Sequence, residues 1–306
     1  MSGHLTGKNI AVTGAGNGIG RGIALACAAE GANVVVADYG VSLDGRDPSS
    51  EVADGVVAEI TAAGGTAVAV AGDVSKMEVG QQIIDAAVDN WGSIDGVVCV
   101  AGIVRERMLF NMSEEEFDDV VAVHLKGHFT LYRAASAVMR KQESGGSLVG
   151  FTSGAFVAST AQANYSAAKG GVVSLTRSAA FALRRYGINA NCIAPTAMTR
   201  MSENVPFEIE AGAPEDIAPL AVYLLSDAAR DITAQTYTCT GSRIAVWNQP
   251  VEVREMTANT DGVFTVDEIA ERLPVSIGHE EMPMFADLER RMKEMAEQKA
   301  AEEASS

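Results

Sequence analysis

Cysteine is scarce in this chain: the 306 residues hold four, Cys27, Cys99, Cys192 and Cys239, far apart and in apolar surroundings. Without a C-x-x-C pair, neither a zinc site nor thiol exchange is indicated, and four buried free thiols and no metal are expected. Basic residues are also few. Against 40 Asp and Glu stand 23 Lys and Arg, and the net charge of −17 argues against partners built on phosphate backbones or anionic lipid. Neither nucleic acid nor membrane is an expected partner. No apolar run approaches the roughly 20 residues that span a bilayer, and the first residues lack a charged segment followed by an apolar one. A reducing cytoplasm is the expected location. Eight prolines exclude a collagen-like or Pro-rich chain, and aromatics make up only 6%.

Glycine, by contrast, is abundant at thirty residues, which suits turns whose backbone must approach a ligand closely. Apolar runs that read as buried strands occur at residues 9–13, 33–38, 66–71, 96–100, 147–152, 188–193 and 236–239. Helix-length segments separate most of them. The runs lack polar alternation, so both faces are covered, as in a doubly wound parallel α/β sheet of the Rossmann type. One catalytic, dinucleotide-binding domain is expected over 1–246. Two stretches interrupt the alternation. Residues 40–50 form a loop rich in Gly, Asp, Ser and Pro, ending at Ser49 and Ser50 as candidate helix caps. Residues 247–306 form a C-terminal extension in which Met282, Phe285, Leu288, Met292 and Met295 recur every three or four positions. That spacing predicts an amphipathic helix docked on its own domain or on a neighbouring subunit.

Directly after the first strand comes Thr13-Gly14-Ala15-Gly16-Asn17-Gly18-Ile19-Gly20, opening a helix through Ile23 and Leu25. Glycines free the backbone N–H groups for a pyrophosphate, and the helix N-terminus favours that anion. Asp38 ends the second strand, where a carboxylate can accept from both ribose hydroxyls and repel a 2′-phosphate. Position 17 is Asn, so no basic residue offsets that repulsion, and NAD is expected over NADP. Tyr165 and Lys169 stand four apart, on one helix face, twelve residues beyond Ser153. A phenol with a pKa near 10 needs a nearby cation to exchange protons at neutral pH. Tyr165 is the expected acid/base, Lys169 its tuner, and Ser153 the partner of the substrate oxygen.

Together these residues resemble the short-chain dehydrogenase/reductase family over about residues 5–240. The resemblance extends to Asp73-Val74, Ala101-Gly102 and Ile193-Ala194-Pro195. Within the family the chain looks most like the dehydrogenase portion of peroxisomal multifunctional enzymes and bacterial relatives, which act on (3R)-hydroxyacyl-CoA and 17β-hydroxysteroids. The segments that carry this are residues 102–107, 123–127 and 162–169, and Thr199-Arg200-Met201. The resemblance implies cofactor contacts from Gly14, Asn17, Gly18, Ile19, Gly20, Asp38, Asp73, Val74, Ala101, Gly102, Tyr165, Lys169, Pro195 and Thr199. It also implies a homotetramer or homodimer built from helices beside the site, with Val172, Val173, Leu175 and Phe181 outward on the Tyr165 helix.

Three departures stand out. The family's Asn-Asn-Ala-Gly is Cys99-Val100-Ala101-Gly102, its proton-relaying helix Asn is His124, and its Pro-Gly is Pro195-Thr196. The multifunctional group also carries His at that helix position, and an imidazole can both donate and accept, so His124 joins the catalytic candidates. The family's gap from serine to tyrosine points to Thr152, whereas alignment of the preceding strand points to Ser153, which is the expectation. The loop at 196–212 carries Met198, Met201, Val205, Phe207 and Ile209, suited to an apolar substrate. Arg105, Arg107 and Arg200 are candidates for CoA phosphates. The expected reaction interconverts a secondary alcohol and a ketone on a 3-hydroxyacyl-CoA or hydroxysteroid. Alternatives are reduction of another small ketone or sugar, or a catalytically silent NAD-binding sensor or structural subunit.

Overall fold

The computed structural model of the protein describes residues 3–40, 49–196, 212–259 and 262–278, with positions 282, 285, 289, 290, 293, 294 and 297 beyond them. Residues 197–211, with Thr199 and Arg200, lie outside the described residues, as do Leu288, Met292 and Met295 of the tail. The chain divides into two compact units, Met1–Trp247 and Asn248–Ser306.

The first unit is built on one eight-stranded sheet. Its strands are β1 (Asn9–Thr13), β2 (Asn33–Asp38), β3 (Thr66–Ala71), β4 (Gly96–Cys99), β5 (Gly146–Phe151), β6 (Ile188–Pro195), β7 (Thr236–Thr240) and β8 (Arg243–Val246). They lie in the order β3-β2-β1-β4-β5-β6-β7-β8, all parallel except β8, which pairs antiparallel with β7. This edge strand escaped the sequence reading because Arg243–Val246 is short and mostly exposed, without the buried-run signature of its neighbours.

Helices α1 (Gly18–Ala29), α2 (Glu51–Ala62) and α7 (Ala218–Leu225) cover one face of the sheet, where Ile10, Val12, Val34, Val36 and Val149 point. On the other face, Ala11, Val35, Val97 and Leu148 meet α3 (Met77–Trp91), α5 (Gly127–Met139) and α6 (Ala163–Leu183). Strand residues that alternate in direction yet are apolar on both sides account for the uninterrupted hydrophobic runs. Successive strands proceed outward from β1 through β2 to β3, and β4 then returns to the other side of β1. A crevice opens at such a switch point, beyond the C-terminal ends of β1 and β4.

Helix α4 (Glu114–Val121) starts at a capping box between Ser113 and Glu116 and runs through a single π turn, Ala122–Lys126, into α5. The outward face expected for α6 needs correction. Val172 and Val173 are buried against Cys192 and Phe156, whereas Phe181 is 91% exposed. The helix is covered by β6 on one side and by α4 and the π turn on another, which leaves only part of its circumference free.

In the second unit, α8 (Val266–Arg272) is capped by Thr265, whose hydroxyl accepts from the Glu268 N–H at 3.1 Å. No described helix of the chain is long and apolar enough to cross a membrane.

Candidate active site

The glycine turn closes over the switch point. Gly14 has φ +65°, and a Cβ there would lie 2.7 Å from the Ala101 amide nitrogen, so only glycine brings β1 and the end of β4 this close. Gly20 is as constrained, since a Cβ would fall 2.1 Å from the Gly14 carbonyl oxygen. Thr13 Oγ1 accepts from the amides of Val100 at 3.2 Å and Ala101 at 3.4 Å and bolts the two strand ends together. Asn17 is the N-cap of α1 and makes no side-chain cap hydrogen bond among the described residues, so the first turn of the helix offers its N–H groups outward.

Asp38 lies beside this turn. Its two carboxylate oxygens accept from Gly16 N–H at 2.8 Å and Gly40 N–H at 2.6 Å, which aims the group at the space over the glycines. Asp73 is spent in part on its own turn, accepting from Ser75 N–H at 2.9 Å, and Val74 is almost buried. Gly102 follows β4, and Pro195 ends β6. A cradle that rejects a Cβ at Gly14 and Gly20, a helix N-terminus and a carboxylate at the end of β2 fit a dinucleotide.

Across the crevice, Tyr165 and Lys169 lie on the first turns of α6, and the Lys169 ammonium nitrogen is 5.4 Å from the centre of the Tyr165 ring. Lys169 is 3% exposed and donates to the Phe151 carbonyl at 2.6 Å. Burial pushes its pKa down to about 7, partly opposed by the nearby Cys192 and Cys99 thiols. The Tyr165 phenol moves the other way: burial raises it above its ordinary value, and hydrogen bonding with Ser153 draws it back. Burial thus biases each of the two groups toward its neutral form.

The choice between the two hydroxyls has a geometric basis. Thr152 is buried, and its Oγ1 donates to the Lys169 carbonyl at 2.9 Å. Ser153, partly exposed just beyond β5, accepts from Ala155 N–H at 3.2 Å and keeps its own proton for another partner.

His124 sits in the π turn, 1% exposed, with its ring edge-on to Tyr165 at 5.0 Å. Its Nε2 is 2.8 Å from the Ile103 carbonyl oxygen and 3.2 Å from the Ile103 nitrogen, and no described residue offers Nδ1 a hydrogen bond. Desolvation holds the imidazole neutral, well below its ordinary pKa. The ring fits because Gly102 has no side chain: a Cβ there would lie 2.2 Å from His124 Cε1.

Two arginines singled out from the sequence are already paired. Arg105 meets Asp119 at 3.4 Å and Arg107 meets Glu116 at 2.8 Å, which leaves less charge for a ligand phosphate. Sequence reasoning also missed two features. Phe156, three residues beyond Ser153, stacks edge-on with Trp247 at 4.8 Å, and the Trp247 indole donates to Thr238 Oγ1. The second is His128, whose four-residue spacing from His124 was the available signal.

The family model described as enoyl-(acyl carrier protein) reductase matches residues 14–241. Hydroxyacyl-CoA dehydrogenase ChsB1 of Mycobacterium tuberculosis is 42% identical over 271 residues, 83% of this chain and 84% of that protein. Peroxisomal multifunctional enzyme type 2 of Mus musculus is 41% identical over 227 residues, 74% of this chain but 30% of that longer protein. Among solved structures, a short chain dehydrogenase from Mycobacterium avium superposes with a TM-score of 0.82 at 44% identity, covering 92% of this chain and 98% of that one.

Proposed function

The chain belongs to the short-chain dehydrogenase/reductase family and is an oxidoreductase of CH–OH groups, and from that premise we propose that it is an NAD-dependent dehydrogenase of 3-hydroxyacyl-CoA thioesters. The observation that carries the reading is the convergence of Tyr165, Ser153 and Lys169 on the end of β5, opposite a glycine cradle flanked by Asp38. Relatives named as a hydroxyacyl-CoA dehydrogenase and as peroxisomal multifunctional enzymes support the substrate class.

The residues that would hold NAD are Gly14, Asn17, Gly18, Ile19 and Gly20 at the pyrophosphate, Asp38 at the adenosine ribose, and Asp73, Val74, Ala101, Gly102, Pro195 and Thr199 around the rest. The chemistry supplied by the bound nicotinamide is acceptance of hydride from the carbinol carbon. Ser153 Oγ donates to the substrate oxygen and fixes its position. Tyr165 Oη, as phenolate, takes the hydroxyl proton. Burial disfavours a lone phenolate and a lone ammonium alike, but the two charges formed together on Tyr165 and Lys169 stabilise each other. His124, edge-on to Tyr165, keeps water from that face of the ring. Reduction uses the same groups in reverse.

The exposed Phe129 of α5 and Phe181 of α6 suit burial against a second copy, so the reading includes a homodimer or homotetramer. Steady-state rates on (3R)-hydroxyacyl-CoAs, hydroxysteroids and sugars, each with NAD and NADP, test the proposal. The highest kcat/KM is expected for a hydroxyacyl-CoA with NAD. A hydroxysteroid preference would correct the substrate, an NADP preference the cofactor, and tight NADH binding without turnover would favour a silent sensor.

A further inference from the structure

Behind the reacting groups lies a histidine that the reaction does not touch. His128, 1% exposed on the first turn of α5, has both ring nitrogens engaged. Its Nε2 is 3.1 Å from the Phe151 amide nitrogen, and its Nδ1 is 2.5 Å from the His124 carbonyl oxygen. An amide N–H can only donate and a carbonyl can only accept. The ring is therefore neutral, with its proton on Nδ1, and neither a charged imidazole nor the other tautomer satisfies both partners.

The two partners belong to the two segments that carry the site. The His124 carbonyl is in the π turn, whose His124 ring abuts Tyr165. Phe151 ends β5, two residues before Ser153; its N–H faces His128, and its carbonyl, in the next peptide group, receives the Lys169 ammonium at 2.6 Å. One imidazole thus spans the π turn and the residue whose carbonyl orients Lys169.

We propose that His128 is a positioning residue, a strut of fixed tautomer that holds the Phe151 backbone at its N–H so that Lys169, bonded to the Phe151 carbonyl, and Ser153 stay aligned with Tyr165. The alignment matters because small displacements of reacting groups are costly in rate. The groups around the ring suit a neutral strut. Lys169 from α6, the Cys99 backbone at the end of β4, His124 from the π turn and Tyr132 one turn along α5, at 6.1 Å between ring centres, face the ring, with no carboxylate among the described groups; the His124 and Cys99 backbone groups favour a protonated ring, and desolvation and the Lys169 ammonium outweigh them. Burial accordingly lowers the His128 pKa to about 3. Gly150 keeps the space open on the β5 side, where an added Cβ would lie 3.3 Å from His128 Cδ2.

This inference rests on the catalytic reading above, so its test has one arm that is independent of turnover. Nitrogen-15 NMR of imidazole-labelled protein is expected to find His128 neutral and protonated at Nδ1 throughout roughly pH 5–9. A ring that titrates in that range, or carries its proton on Nε2, would overturn the proposal. The second arm separates the two hydrogen bonds. In His128→Gln the longer side chain can present its carbonyl oxygen to Phe151 N–H, whereas His128→Asn reaches only the Nδ1 position and keeps the donor to His124. Turnover is expected to fall roughly 10- to 100-fold in His128→Asn and His128→Leu and to return within about threefold of wild type in His128→Gln, with KM values little changed. Wild-type kcat in all three variants, or rescue by Asn instead of Gln, would sink it. If Leu folds poorly, the Gln and Asn pair carries the comparison, with NADH affinity as the check on folding. Full turnover in Tyr165→Phe would instead remove the catalytic reading and leave the imidazole measurement standing.

Discussion

On the β1 to β3 side of the crevice the groups that face a ligand are mostly backbone, fixed by glycines that reject a Cβ and by one carboxylate clamped between two amides. On the β4 to β6 side, side chains taken out of water dominate: Lys169, His124 and, behind them, His128 are each 3% exposed or less, and Thr152 and Asn164 are buried as well. The first half holds one carboxylate at its turn, paired with two backbone N–H groups. The second holds titratable groups in an environment that opposes their charged forms, and such strain against local stability is a usual signature of reacting sites. A cradle of the first kind only has to be the right shape. A cluster of the second kind has to be the right shape and in the right protonation state.

The largest test of that contrast is Tyr165→Phe. If the catalytic half acts through the phenol and the glycine cradle carries most of the cofactor affinity, turnover should drop by about a thousandfold while NADH affinity stays within about threefold. Stopped-flow oxidation together with a fluorescence titration of NADH measures both on the same preparation. Loss of both together would mean that the halves are not separable.

Lys169→Met examines the cost of the buried cluster itself. The lysine has a folded pKa of about 7 against roughly 10.4 in the unfolded chain. Between those values the unfolded state binds more protons, so wild-type stability rises with pH by up to about 1.4 kcal/mol per unit from this group. Methionine does not titrate. The cofactor-free variant should therefore be the more stable protein near pH 6, and its advantage should shrink steadily toward pH 10. Denaturant melts of both proteins across that range give the difference directly. A constant offset would show that the Lys169 pKa is not lowered in the folded protein.

The unequal construction of the halves also decided how much was legible in the sequence. Seven strands and the identity of the glycine turn could be read, because buried parallel strands are continuous apolar runs and a turn that rejects a Cβ must write glycine at fixed spacing. Arg243–Val246 carried no such signal. In the second half, Tyr165, Lys169 and Ser153 were named from spacing, but nothing in the sequence stated that Lys169 would be nearly enclosed, or that Thr152 would spend its hydroxyl on the Lys169 carbonyl. Val172 and Val173 read as outward from the sequence because an apolar residue on a long helix looks the same whether it meets the sheet or a partner subunit. Gly102 shows the same limit from the other side, since its purpose is visible only once the His124 ring lies against it. Burial and pairing across distant elements are properties of the assembled fold, and local patterns do not encode them separately.

The smallest expected effect returns to the cradle, where Asp38 is the exception to its backbone character. Its carboxylate has two separable jobs: it accepts from Gly16 and Gly40 and so holds the turn, and it would repel a 2′-phosphate while accepting from the ribose. Asp38→Ala removes both. If the second job is real, the ratio of kcat/KM for NADP to that for NAD should rise by roughly 10- to 100-fold, the consequence of losing about two charged hydrogen bonds to one cofactor and one repulsion against the other. If only the first is real, the ratio stays fixed and the melting temperature alone falls. Measuring both on the alanine variant assigns the residue to the ligand or to the loop. A fixed ratio would make the first half of the site wholly a matter of backbone shape, and the contrast with the second half would then be complete.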